Sequence, residues 1–147
     1  MMKFTAVHRR RLRALAKLLR SLTPRETREH FYMGSWFRQL GTQPHHVPLN
    51  PTKKDLTTCG TSACALGWAT TIPELQRAGL TLDSYNYEVR LDGYRYYGTY
   101  AAAVIFGLDS QAARWLVTDQ VRSGTDETPK QVARRIDLLI ANDGRLP

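Results

Sequence analysis

The sequence predicts a mainly α (α+β) fold: a compact single domain of five or six helices with one β-hairpin at about residues 85–97. Three observations carry this expectation. Leucines recur at helical spacing near the start, Thr-Pro pairs at 23–24 and 128–129 open two later helices, and one alternating aromatic stretch is closed by Asp92-Gly93. Of the 147 residues, 42% are hydrophobic and 23% charged, which suits one buried core and excludes a disordered chain.

Residues 7–22 form the first expected helix. Leu12, Leu15, Leu19 and Leu22 share one face of a 3.6-residue period, while Arg10, Arg13, Lys17 and Arg20 repeat the spacing about 200° away. Thr23 then caps a second helix, with Pro24 at its first position and Glu26 completing a capping box. Residues 41–58 hold three prolines and no periodicity, which marks a loop or linker. "CGTSACALGWA" (59–69) starts a short helix that Pro73 ends. In "SYNYEVRLDGYRYY", Tyr85, Tyr87, Val89 and Leu91 alternate with polar residues, and Asp92-Gly93 is a favoured two-residue turn. "YAAAVIFGL" reads as a buried helix, Asp109 or Ser110 caps "QAARWLV", and Thr128-Pro129 opens a last helix striped by Val132, Ile136 and Leu139. Gly144 follows its end.

The net charge of +8 is uneven. Residues 1–30 carry nine basic and two acidic side chains, whereas residues 31–147 carry twelve basic and eleven acidic. This divides the chain into a basic N-terminal helical segment (1–30) and a nearly neutral globular domain (31–147). No apolar run approaches the ~20 residues of a membrane span, and Lys17 and Arg20 interrupt any secretory signal core. Residues 1–25 are Arg-rich and free of acid, as an organellar presequence would be, but short of serine. A cytoplasmic protein is expected.

"FYMGSW" (31–36), "CGTSACALGWA", "AAAVIFGLDSQAARWL" (101–116) and "TPKQVARRIDLLI" (128–140) resemble a family of small uncharacterised proteins of bacteria and their phages. Its members share a Cys-Gly-Thr-x-x-Cys-x-x-Gly-Trp pattern. The resemblance implies a bacterial or phage-infected host cell as the setting, and no particular chemistry.

Four roles compete for the cysteine motif. Cys59 or Cys64 at a helix N-terminus would be an acidic thiol, but a nucleophile needs a base, and all four histidines precede the cysteines. Zinc would take His45, His46, Cys59 and Cys64, although adjacent histidines seldom both ligate. A disulfide or redox pair conflicts with a reducing compartment. The preferred reading is structural: a tight turn at Cys59-Gly60-Thr61, a cap from Thr61 or Ser62, Cys64 in the core, Gly67 at a close backbone approach and Trp68 packed beside it.

Two surfaces are expected to bind anions. Arg9, Arg10, Arg13, Lys17 and Arg20 lie on the first helix, four of them spread over ~15 Å, a spacing that suits the phosphates of nucleic acid. In the hairpin, a turn at Asp92-Gly93 sets Leu91 opposite Tyr94 and Arg90 opposite Arg95, with Tyr87, Val89, Leu91, Tyr94 and Tyr96 on the core side. Opposed arginines repel unless Glu88 satisfies one of them or a phosphate lies between them, with Tyr97 placed to stack on a base. No P-loop, GxGxxG or acid–base carboxylate pair occurs. The expectation is a small accessory protein, not an enzyme, that contacts nucleic acid through its basic helix and needs no cofactor. An inhibitor or anti-defence-type protein binding a host protein or a nucleotide signal through the hairpin and the 41–58 loop is the second reading. A zinc- or thiol-dependent enzyme is the third.

Overall fold

Helix α1 (Ala6–Ser21) forms where the leucine spacing puts it, and Leu12, Leu15 and Leu19 are buried, with α1 lying along helix α8 (Pro129–Ala141). Each fully buried leucine contributes about 1.5–3 kcal/mol, against about 0–1 kcal/mol for an exposed ion pair. The apolar face therefore holds α1 in place. Those leucines belong to the same core cluster as Trp68, Phe106 and Ile136, so α1 is built into the core of residues 31–147. The computed structural model describes residues 3–39, 47–58, 60–118 and 127–147; His45, His46 and Cys59 lie outside them, as does most of the proline-rich loop's first half.

The described residues form eight helices and five strands, a mixed α+β architecture. Threonines start four of the helices: Thr5 for α1, Thr23 for α2 (Pro24–His30), Thr52 for α3 (Lys53–Leu56) and Thr128 for α8 each close a reciprocal capping box. Strands β1 (Phe37–Gln39) and β2 (Thr61–Ala63) pair antiparallel, with Arg38 opposite Ser62. Helices α4 (Ala65–Ala69) and α5 (Pro73–Arg77) follow. A meander of β3 (Leu80–Asp83), β4 (Glu88–Leu91) and β5 (Tyr96–Tyr97) comes next. Helices α6 (Thr99–Phe106) and α7 (Ser110–Val117) then lead to α8, with Asp109 capping α7 as expected. No helix among the described residues is long and apolar enough to cross a membrane.

Three local expectations are corrected. Thr61 opens a strand and caps no helix; α4 begins after Cys64 without a side-chain cap, and the Ser62 hydroxyl accepts from Arg38 at 2.8 Å. Pro73 starts α5, where a first-position proline costs no hydrogen bond, so the break after α4 comes at Thr70–Ile72. The hairpin closes with Leu91 opposite Tyr96 and Arg90 opposite Tyr97, through a four-residue loop. Asp92 and Gly93 do adopt left-handed backbone (φ +57° and +66°), but the Arg95 N–H bonds back to the Asp92 carbonyl and delays the pairing. Tyr94 consequently leaves the core side and is 81% exposed, while Tyr87, expected on that side too, falls in the β3–β4 turn at φ +56° and is half exposed.

Candidate functional site

On α1 the cations divide into two groups. Arg9 pairs with Asp143 beyond the end of α8 and also donates to the Ile140 carbonyl at 2.8 Å. Arg10 pairs with Glu74 of α5, Arg20 pairs with Asp137 of α8, and Arg11 donates to the Ile105 carbonyl of α6. Arg13 and Lys17, four residues apart on the exposed side, form no ion pair among the described residues. Of the five predicted phosphate contacts, three are therefore already matched by carboxylates. On α8, Arg134 lies one turn before Asp137 and Lys130 one turn earlier, and both are exposed and form no ion pair among the described residues. Arg13 and Lys17 on α1, and Lys130 and Arg134 on α8, are thus exposed cations on two packed helices with no ion pair among the described residues, and the exposed Arg20–Asp137 pair joins the same two helices.

In the meander the arginines are apart. Arg90 is held between Asp83 at 3.0 Å and Glu88 at 3.1 Å and lies over the Tyr94 ring, 4.2 Å from its centroid. The Asn86 side-chain amide, above all, and the Arg90 guanidinium among the other causes hold the Asp83 carboxyl below its ordinary range. Arg95 is exposed and pairs with Asp92 at 3.7 Å. The facing arginines required for a phosphate clamp are not formed, because the register shift moves Arg95 into the loop.

The cysteine motif packs as a joint. Cys64 is fully buried, its Sγ 3.9 Å from the Trp36 carbonyl, and burial pushes the thiol up to about 11. A thiol so far above neutrality is protonated and a poor nucleophile. A Cβ at Gly67 would collide with the Trp36 carbonyl oxygen, so glycine is required for the close approach of two backbones. Trp68 is buried and donates its indole N–H to the His30 carbonyl at 3.0 Å. Cys64 alone of the four zinc candidates lies within the described residues.

Another constellation escapes sequence reasoning. Helix α6, expected to be buried, is apolar all round yet presents Tyr100, Ala103 and Val104 to solvent-accessible hollows. One hollow of about 300 Å³ is lined by Trp36, Tyr97, Tyr100, Ala103, Ser110 and Arg114. Trp36 is fixed across Gly98, where a Cβ would come within 3.2 Å of its ring and where φ is +58°. Trp36, Tyr97 and Arg114 are separated by up to 78 residues (114 − 36), so no local pattern announces them. No family model, curated protein or solved structure matches the chain.

Proposed function

We propose that the protein is a small accessory binding protein, in the bacterial or phage setting implied by its cysteine motif, that contacts nucleic acid across the α1–α8 seam. The observation carrying this reading is the group Arg13, Lys17, Lys130 and Arg134: four exposed cations on the two packed helices α1 and α8, with no carboxylate partner among the described residues. Arg10 and Arg20 add less, because Glu74 and Asp137 cancel their charge and repel a phosphate. Contacts of this type give affinity without reading base sequence.

Neutralising four phosphates of duplex DNA gives a slope of log K against log[salt] of about −3.6. Fluorescence anisotropy with a labelled duplex across a salt series measures it. Replacing Arg13, Lys17, Lys130 and Arg134 by Gln should remove binding, while replacing the carboxylate-bound Arg9 by Gln should leave most of it. Equal affinity of the four-fold variant and the unaltered protein would overturn the proposal.

A further inference from the structure

The hollow beside α6 combines two features that suit a planar, anionic ligand. Three aromatic side chains, Trp36, Tyr97 and Tyr100, form its walls, and Tyr97 and Tyr100 are 56% and 68% exposed. Large exposed aromatics gathered around one concavity leave apolar ring faces in water, which a planar partner would cover. Second, Arg114 lines the same hollow, is exposed, and has no ion pair or hydrogen bond from its side chain among the described residues. The Trp36 indole N–H is likewise unpaired there.

We infer that this hollow is a nucleotide-binding site, with a base stacked against Trp36, Tyr97 and Tyr100 and its phosphate held by Arg114. Every base has a π-face, so stacking on aromatics worth about 1–3 kcal/mol per base tolerates any sequence. A guanidinium fits two phosphate oxygens at once, which a lysine cannot do. The volume of about 300 Å³ lies at the small end of ligand sites and suits one nucleotide unit, with room for more along α6. Tyr97 keeps the stacking role the sequence suggested, with Arg114 taking the place of Arg90 and Arg95. The site shares no residue with the α1–α8 seam and stands or falls apart from it.

The same chemistry arises from a free mononucleotide or from one unit of a single strand. Trp36 reports on both, because a base stacked on its indole quenches tryptophan fluorescence. Titration with adenosine 5′-monophosphate tests the first source, and titration with a twelve-residue oligothymidylate the second. Saturable quenching by the monophosphate assigns the site to free nucleotide, and quenching by the oligomer alone assigns it to a strand. Arg114→Gln and Tyr100→Ala, both at exposed positions, should each weaken whichever ligand binds by tenfold or more. Adenosine, lacking phosphate, should bind more weakly than its monophosphate and be indifferent to Arg114→Gln. The variant with Gln at 13, 17, 130 and 134 should retain the quenching even where duplex binding is lost. No saturable quenching by either ligand, or quenching unaltered in both Arg114→Gln and Tyr100→Ala, would refute the site.

Discussion

His8 shows how one side chain can couple a helix end to pH. Its Nδ1 accepts the Thr5 N–H at 3.0 Å, while the Thr5 hydroxyl accepts the His8 N–H at 3.4 Å, so the box that opens α1 needs an unprotonated Nδ1. Burial first, and the nearby Arg11 charge second, lower the His8 pKa from its ordinary 6.5. In the unfolded chain His8 therefore takes up its proton at a higher pH than in the folded one. Its contribution to stability is complete above about pH 6.5 and is lost as pH falls through the folded value. The melting temperature should accordingly drop between about pH 7 and pH 5. Glutamine is a usual third-position capping-box residue and does not titrate, so His8→Gln should retain the cap and shrink that drop. An equal drop in the variant would remove His8 from the explanation.

At the scale of elements, what was legible in the sequence was whatever a few adjacent residues decide. Thr23 with Glu26, Asp109, Thr128 with Pro129, and the leucine stripe of α1 all act within one or two turns, and all four helices start as expected. The meander was less legible, since register depends on a loop bond. The Arg95 N–H to Asp92 carbonyl contact replaced the two-residue turn that Asp92-Gly93 suggested. Strand β3 supplies Asp83, which the expected hairpin omitted, and Asp83 is what Arg90 faces. The two arginines should therefore behave differently. Arg95→Thr removes an exposed pair with Asp92 and should change stability by no more than ~0.5 kcal/mol. Arg90→Thr removes the cation that bridges Asp83 and Glu88 and should lower the urea unfolding midpoint by more than Arg95→Thr does. Equal stabilisation by both substitutions would restore the opposed register.

For the molecule as a whole, the sequence located the positive surplus and left open which charges stay unmatched. That depends on Glu74, Asp137 and Asp143, which meet Arg10, Arg20 and Arg9 from 64, 117 and 134 residues away and carry no local signal. The α6 hollow was illegible for the same reason, being assembled from β5, α6, α7 and the turn at Trp36. The division into matched and unmatched cations has a consequence for stability. A net charge of +8 makes the folded chain repel itself, and this cost falls on charges with no counterpart nearby. Arg13→Gln with Lys17→Gln should therefore raise the melting temperature in low salt. At ~0.01 M salt the screening length is about 30 Å and these charges sense the whole surface; at ~1 M it is about 3 Å and the gain should vanish. Arg10→Gln with Arg20→Gln removes the same formal charge but also two ion pairs, so the relief is offset and no comparable gain should appear. Thermal melts of the two double variants across that salt range decide the matter. Identical curves for both would mean that pairing with Glu74 and Asp137 does not set Arg10 and Arg20 apart, and the exposed face of α1 would then act as one uniform field.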